Sequence, residues 1–229
     1  MSNSSPTAEP DSQSSAGTRE KLLLAAEALF ATEGVDGVSM RRINRAAGQQ
    51  NASALHYHFG SRRDLVAAII NRRMGEVNAR RRRVLDRLIA AGDVSDPRQI
   101  SDALVAPLAE QVNHGDGGSN YIRCLASVYF SSEVDVDDIT RGHADDSLRD
   151  VADLFAGALP DFPATVIRQR FVMTVRQVVY ALADWERQCL DGQKPPRLKF
   201  PAFVENLIDM TGAVMAAPVS AKTNAKLKA

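Results

Sequence analysis

The chain has 229 residues, of which 45% are hydrophobic and 24% are charged, the ordinary mix of a soluble globular protein with a sizeable core. Its two cysteines stand alone in separate apolar stretches, which excludes a disulfide framework and a CxxC metal site. The formal net charge is zero, and no apolar run approaches the roughly 18 residues that are needed to span a bilayer.

Residues 1–17 are rich in Ser, Pro and Gly and are expected to form a disordered lead-in. They lack the basic start and the apolar run of a signal peptide, so we expect a cytoplasmic protein. A first helix is predicted from about Thr18 to Glu33, because apolar residues recur there at helical spacing, namely Leu22, Ala26, Leu29 and Phe30.

Two short helices and a long one follow. Ser39 is a predicted N-cap for the helix MRRINRAA, which Gly48 closes. A third helix covers about residues 51–59 and stops at Gly60, and Ser61 caps a long helix through about Ala91. Further helices are predicted at roughly 97–113, 119–131, 143–159, 164–191 and 200–217.

The pattern predicts an all-α chain of about nine helices. The expected units are a disordered tail at 1–17, a first helical domain at 18–65, a second helical domain at 66–217, and a frayed tail at 218–229. The charge distribution supports this division. From Thr18 to Ala90 there are 14 Lys and Arg against 7 Asp and Glu, whereas from Ala91 to Ala217 there are 11 against 19. Only the basic first third is therefore expected to face a polyanion.

The third helix has a polar side that suits base recognition. A helical wheel places Ala52, Leu55 and Phe59 on one side. The opposite side carries amides, hydroxyls and small residues that can approach base edges in a major groove, namely Gln50, Ser53, Ala54 and Tyr57, with Gln49 and His56 flanking. A plain helical bundle with a polar surface would give a similar wheel.

Candidate phosphate donors surround this helix. Arg41, Arg42 and Arg45 lie on the helix before it, and Arg62 and Arg63 begin the helix after it. Ser61 stands at that helix N-terminus, where backbone N–H groups favour an anion.

A resemblance to the TetR family of repressors is carried by the segments TREKLLLAAEALFATEGVDGVSMRRINRAAG and SALHYHFGSRRDL. The resemblance implies that the backbone and groove edge are approached by Ser39, Met40 and Arg41. It implies base readers at Gln50, Asn51, Ser53 and His56, and phosphate contacts at Tyr57 and Arg62. The interval from Gly48 to Phe59 is one residue longer than the family's commonest form, and Asn44 stands where the family usually has Ala.

The resemblance further implies that residues 18–65 form a helix-turn-helix DNA-binding domain and residues 66–217 a ligand-binding and dimerisation domain. It implies that the last two long helices pair with their copies in a second subunit. The apolar residues expected there are Phe171, Val175, Val178, Phe203, Leu207, Met210 and Val214; packing within one chain would also explain them. A small-molecule pocket is implied among the middle helices, with candidate lining residues Tyr121, Arg123, Val128, Tyr129, Phe155, Arg176, Tyr180 and Trp185. Core packing or a salt bridge explains most of these equally well.

The other groups of polar residues in the sequence give only weak signals of a metal, ligand or catalytic site. His56 and His58 are two residues apart on a helix and point in nearly opposite directions, so no metal site is expected. The run Arg80–Arg83 spans about 300° of a helix, so at least one guanidinium must point inward, to a carboxylate in a salt-bridged seam or to an anionic ligand group. No catalytic motif and no cofactor site are present.

The sequence therefore predicts a homodimeric, sequence-specific repressor that a hydrophobic or anionic effector releases from a palindromic DNA operator, with no membrane partner. Two alternatives remain. One is an architectural protein that packs DNA without sequence preference, and the other is an all-α enzyme whose basic third holds a phosphorylated substrate.

Overall fold

The structure is a computed structural model, and it describes residues 12–51, 53–92, 94–112, 120–136, 139, 146–191 and 196–227. These residues form ten α-helices and no strand, which confirms the all-α prediction. The helices are α1 (Ser12–Glu33), α2 (Met40–Ala46), α3 (Ala54–Phe59), α4 (Arg62–Ala91), α5 (Pro97–Ala109), α6 (Tyr121–Tyr129), α7 (Asp146–Ala158), α8 (Ala164–Asp191), α9 (Phe200–Ala216) and α10 (Ala221–Leu227).

The helix ends follow the capping residues that the sequence indicated. Ser39 accepts a hydrogen bond from the Arg42 N–H at the start of α2, and Ser61 accepts one from the Asp64 N–H at the start of α4. The turns after α2 and α3 place Gly48 at φ 71° and Gly60 at φ 73°, a region that glycine enters without steric cost.

Three predicted boundaries were wrong. Helix α1 begins at Ser12 rather than Thr18, so residues 12–17 of the expected disordered lead-in are helical, while residues 1–11 lie outside the described part. Helix α3 begins at Ala54 rather than at about residue 51. Within the expected frayed tail, Ser220 accepts a hydrogen bond from the Thr223 N–H and starts α10.

One continuous hydrophobic core is shared by helices from the N-terminal and the C-terminal parts of the chain. Helices α1 to α4 enclose Leu22, Phe30, Ile43, Leu55 and Leu65, each fully buried. Helix α4 continues from there and packs against α5 and α7. Helix α6 packs between α1 and α8, so the first three helices are joined to the rest of the chain at α4 and at α6.

The same hydrophobic core continues among the later helices, where it contains Ile100, Leu104, Tyr121, Phe155 and Leu182. Burial raises the pKa of the Tyr121 phenol far above its ordinary value. None of the helices in the described ranges combines the length and hydropathy that crossing a bilayer requires.

Helices α5 and α9 approach each other closely at Gly212. A Cβ added to this buried glycine would lie 2.9 Å from the Arg98 Cα and 3.2 Å from the Pro97 carbonyl carbon. Because both are backbone atoms, the two helices would have to separate. Gly212→Ala is expected to lower the free energy of unfolding by about 1–3 kcal/mol, as measured by urea denaturation.

Gly75→Ala is the matched control, since Gly75 lies on the exposed side of α4 with no atom within 4 Å of the added Cβ. There the substitution is expected to be neutral or to stabilise by up to about 1 kcal/mol. Equal effects at the two positions would contradict the close approach of α5 and α9.

Candidate nucleic-acid interface

Helix α2 presents a basic cleft. Its guanidinium groups lie around a surface cleft of about 690 Å³ that is lined by Leu29, Ser39, Arg41, Arg42, Arg45 and Ala46. Arg41 and Arg45 are exposed, and Arg42 forms an ion pair with Glu33 at 2.7 Å. Three guanidiniums against one carboxylate make this cleft suited to a phosphate backbone.

The turn between α2 and α3 is held by two asparagines. The buried Asn44 Oδ1 accepts a hydrogen bond from the Leu55 N–H at 3.2 Å, and the Asn44 carbonyl accepts one from the Gln49 N–H at 2.9 Å. The Asn51 Oδ1 accepts one from the Ser53 N–H at 2.9 Å. Because Asn51 forms this local turn, the chain enters α3 later than periodicity predicted.

Asn44→Ala is expected to destabilise the chain by about 1–3 kcal/mol, because it leaves the Leu55 N–H buried without this acceptor. Asn71→Ala, on the exposed side of α4, is the control and should stay within about 0.5 kcal/mol of the wild type. Urea denaturation measures both, and amide hydrogen exchange at Leu55 locates the effect. Unchanged stability and unchanged exchange in Asn44→Ala would show that the bond is dispensable.

The exposed side of α3 and its preceding turn carries the predicted base readers. Gln50, Asn51, Ser53 and His56 are exposed, and Tyr57 is 81% exposed. On the other side, Leu55 and Phe59 are buried as the wheel predicted. The placement of Ala54 on the outward side was wrong, because it is buried. Met40 of α2 is half-buried against the core, so only part of it is accessible.

The start of α4 differs from the prediction. The Arg62 guanidinium donates hydrogen bonds to the Val35 carbonyl and, at 2.7 Å, to the Val38 carbonyl, and it pairs with Glu133 at 2.9 Å. With its side chain only 20% exposed, Arg62 faces the protein and does not fit the predicted phosphate contact. It ties the α1–α2 turn to the segment after α6.

Ser61 also forms its side-chain hydrogen bonds within the protein, at the start of α4. Its hydroxyl donates to the Asp64 carboxylate at 2.6 Å, while the Asp64 N–H donates to the Ser61 oxygen at 3.1 Å. A carboxylate therefore already occupies the region in front of the α4 N-terminus where a phosphate was expected. Ser61 and Arg62 thus do not present free groups as the predicted phosphate contacts would, while the side chains of Arg41 and Arg45 on α2 are exposed.

A polar junction joins the α1–α2 turn to the segment after α6. We call this set, Asp36, Arg62, Ser131, Ser132 and Glu133, the junction. The Asp36 carboxylate accepts hydrogen bonds from the Ser131 hydroxyl, from the Ser132 N–H at 2.8 Å and from the Ser132 hydroxyl at 2.9 Å. These donors hold the pKa of Asp36 below its usual value. Sequence reasoning missed Asp36, Ser131, Ser132 and Glu133 and gave Arg62 a different role, although a Ser-Ser-Glu run after a helix is a local capping signal.

The lowered pKa of Asp36 predicts the pH range in which the junction stops contributing to stability. The folded-state pKa lies below the unfolded value of about 3.9, so its contribution to stability is complete above that pH and is lost as pH falls through the folded pKa. We expect Asp36→Asn to lower the free energy of unfolding at pH 7, and the difference from wild type to vanish only below about pH 4.

Urea denaturation as a function of pH measures this difference. Asp86→Asn, on an exposed side of α4, serves as the control for removal of one carboxylate. A difference between wild type and Asp36→Asn that disappeared between pH 8 and 5 would contradict the assignment.

The predicted ligand residues do not converge on one site. Tyr121 and Phe155 are fully buried in the core. Trp185 packs against Phe200 with ring centroids 4.5 Å apart. Arg123 forms an ion pair at 2.8 Å with Glu186, whose side chain is fully buried. Core packing and a salt bridge thus account for four of the candidates.

The remaining candidates lie together. Val128, Tyr129 and Arg176 line a cavity of about 420 Å³, and Tyr180 has its ring centroid 6.2 Å from that of Tyr129. This cavity adjoins the junction, because Ser131, Ser132 and Glu133 are also among its lining residues.

The arginine run on α4, Arg80–Arg83, mainly forms hydrogen bonds and ion pairs within the protein. Arg81 is buried and donates to the Ala103 carbonyl at 3.2 Å and to the Asn78 Oδ1 at 2.8 Å. Arg80 pairs with Glu110 at 2.8 Å, and Arg82 pairs with Asp150. The prediction that at least one guanidinium points inward is confirmed by Arg81, whereas a carboxylate or an anionic ligand group as the partner of that inward guanidinium stays a prediction. Among the residues that the structure describes, no three His, Cys, Asp or Glu side chains come together as a metal site.

The apolar face expected for a second subunit needs a correction. Val178 and Leu207 are buried within their own chain, and Phe171, Val175 and Phe203 are half-buried. Met210 and Val214 of α9 are exposed as predicted, and the sequence reasoning missed Val172 and Met173 of α8. Five large apolar side chains of α8 and α9 are exposed, among them Leu190 near the end of α8 at 39%. We call the other four the outward apolar face, namely Val172, Met173, Met210 and Val214, which are 38%, 59%, 46% and 37% exposed.

Two family profiles match the sequence. The profile described as "Bacterial regulatory proteins, tetR family" matches residues 22–69, which include α2 and α3. The profile described as "Tetracyclin repressor-like, C-terminal domain" matches residues 102–213. Together they span more than half of the chain. The comparison with curated proteins found no match.

Solved structures share the fold. A protein from Shewanella sp. PV-4 described as a tetR family transcription regulator has a TM-score of 0.56 at 17% identity, covering 88% of this chain and 99% of its own. A transcriptional regulator from Rhodococcus sp. Rha1 has a TM-score of 0.52 at 17% identity, covering 86% and 95%. NalD, the secondary repressor of the MexAB-OprM multidrug efflux pump in Pseudomonas aeruginosa, has a TM-score of 0.52 at 19% identity, covering 87% and 95%.

Proposed function

The chain belongs to the TetR family of bacterial transcriptional regulators, which are transcription factors rather than enzymes, and on that premise we propose that it is a homodimeric, sequence-specific repressor that a small-molecule effector releases from its operator. Residues 18–65 serve as the DNA-binding domain and residues 66–217 as the ligand-binding and dimerisation domain. The observation that carries this proposal is the exposed polar side of α3 beside the basic cleft of α2.

The two parts of this surface have different tasks. Base edges are read by Gln50, Asn51, Ser53 and His56, whose amides, hydroxyl and imidazole can pair with groups in the major groove. Phosphates are contacted by Ser39, Arg41, Arg45 and Tyr57, and Met40 touches the groove edge. Arg62 and Ser61 are excluded from direct contact, because their polar groups are engaged within the protein.

A second copy of the chain covers the outward apolar face of α8 and α9. Four apolar side chains that are each more than a third exposed, on two long helices, favour burial against the same face of a partner. A dimer also suits the recognition helix, which has only six residues and reads few base pairs alone. Two-fold symmetry matched to a palindrome doubles that number.

Fluorescence anisotropy of the full chain with labelled genomic fragments tests the proposal at a fixed salt concentration of about 0.15 M. We expect at least one fragment to bind about 10³-fold more tightly than random competitor DNA. Equal affinity for all fragments would instead indicate a sequence-tolerant DNA-packing protein and would contradict the proposal.

A further inference from the structure

The segment after α9 carries a concentrated positive charge. Residues 218–229, PVSAKTNAKLKA, contain Lys222, Lys226 and Lys228 and no Asp or Glu, and we call them the C-terminal tail. The preceding residues 91–217 have the opposite balance, with 11 Lys and Arg against 19 Asp and Glu. The C-terminal tail therefore differs in charge from the domain to which it is attached, and short basic segments of this kind commonly bind nucleic acid.

Helix α10 within the C-terminal tail presents two of these lysines on an exposed side. It has no buried residue, and six of its seven residues, all except Asn224, are exposed. Lys222 and Lys226 are four residues apart, so they point to the same side of the helix. A helix of seven residues is only marginally stable in water by itself. Binding to a polyanion would therefore both neutralise these lysines and stabilise α10.

Hydrogen bonds to α8 fix the place where the C-terminal tail starts. The Arg170 guanidinium donates to the Met215 carbonyl at 2.9 Å and to the Ala217 carbonyl. Arg176 lies six residues further along α8, or about 9 Å at the rise of an α-helix, and lines the same cavity as Arg63 of α4. Arg63 stands at the start of α4, directly after the recognition helix α3. The C-terminal tail thus starts near the end of α4 that adjoins the DNA-binding helices.

The length of the C-terminal tail is sufficient to reach bound DNA. With α10 helical and its other five residues extended, the twelve residues span up to about 27 Å. The cavity at Arg63 and Arg176 does not supply a net positive charge, because Glu133 and Asp135 line it as well. The lysines of the C-terminal tail are therefore the groups that would meet a phosphate backbone on this side of the protein.

We propose that the C-terminal tail is a second DNA-binding element, which contacts phosphates beside each half-site through Lys222, Lys226 and Lys228. Such contacts add affinity and salt dependence but no sequence preference. The inference rests on the proposed DNA-binding function of α2 and α3 and adds a contact outside residues 18–65. A membrane surface fits less well, because Leu227 is the one large apolar residue of α10, whereas membrane-binding helices bury an apolar face.

Replacing the three lysines with glutamine tests this contact in the full chain. Each phosphate that a lysine neutralises contributes about 0.9 to the slope of log affinity against log salt, so the slope should fall by up to about 2.7 for each chain. At about 0.15 M salt, affinity for operator and for scrambled DNA should fall by the same factor, about tenfold or more. Fluorescence anisotropy at several salt concentrations measures both effects.

A matched control removes the same charge elsewhere. The variant Arg87→Gln, Arg197→Gln, Lys199→Gln changes three exposed cations, of which Arg197 and Lys199 lie before the opposite end of α9. Its slope should stay that of the wild type. Sedimentation velocity should show that both triple variants keep the oligomeric state of the wild type.

Hydroxyl-radical footprinting locates the contact on the DNA. The wild type and the variant without the three lysines should protect the same two half-sites, and only the wild type should protect additional backbone positions beside them. The proposal is overturned if the slopes of these two proteins are equal or if the control loses as much slope. A variant that becomes monomeric would assign the C-terminal tail to subunit contact instead. An unchanged slope, with only the wild type sedimenting with phosphatidylserine vesicles, would assign it to a membrane surface.

The outcomes separate this contact from the proposed function. If one fragment is bound selectively and loss of the three lysines leaves the slope unchanged, the proposed function stands and the contact fails. If no fragment is bound selectively while the slope on random DNA still falls, the proposed repressor function fails and the contact stands.

Discussion

Replacing Met173 and Met210 with aspartate is expected to make the chain monomeric and to weaken its binding to operator DNA by about a hundredfold or more. Both side chains lie on the outward apolar face of α8 and α9, so the dimer would have to bury carboxylates without partners. A monomer loses the gain in affinity that comes from linking two half-site contacts. Sedimentation velocity measures the oligomeric state, and fluorescence anisotropy measures the DNA affinity.

The matched control carries the same charge change at exposed apolar residues elsewhere. Leu24 on α1 is 44% exposed and Ile89 on α4 is 58% exposed. Leu24→Asp with Ile89→Asp should leave the dimer intact. A dimer of unchanged affinity in the Met173→Asp, Met210→Asp variant would show that the subunits meet at a different face.

Replacing Arg41 and Arg45 with alanine is expected to weaken binding to all DNA sequences about equally. Each guanidinium that neutralises a phosphate contributes about 0.9 to the slope of log affinity against log salt, so the slope should fall by about 2 for each chain. Replacing Gln50 and His56 with alanine should instead leave the slope unchanged and lower the preference for the operator by about tenfold or more.

Anisotropy titrations at several salt concentrations, with operator and scrambled DNA, distinguish the two variants. Arg87→Ala controls for the loss of an exposed arginine away from α2 and α3. If the Gln50, His56 variant lost affinity for operator and scrambled DNA alike, the assignment of base readers on α3 would be wrong.

The architecture was predictable because it depends on local signals. Apolar residues at helical spacing identify the buried side of α1, and Gly48 and Gly60 end the short helices at positions where a left-handed backbone is needed. The outward side of α3 followed from the same periodicity, since Leu55 and Phe59 fix which side is buried.

The errors in the predicted start of α3 and in the predicted role of Arg62 arose where a side chain forms a hydrogen bond that helical periodicity does not indicate. Asn51 closes a turn with the Ser53 N–H instead of extending α3, and Arg62 reaches carbonyls that lie 24 and 27 residues earlier in the chain. Neither choice follows from spacing. On α8, apolar residues occupy more than one side, so periodicity alone could not distinguish the buried Val178 from the exposed Met173.

Hydroxyl-radical footprinting of the full chain on the most tightly bound genomic fragment tests the central claim most directly. A homodimer that reads DNA with α3 predicts two protected half-sites, related by two-fold symmetry and separated by about 10–10.5 base pairs or a multiple of that distance. Substituting Gln50 or His56 should change which sequences are protected and leave the spacing unchanged. A continuous footprint on any DNA, or one unpaired protected region, would contradict the account.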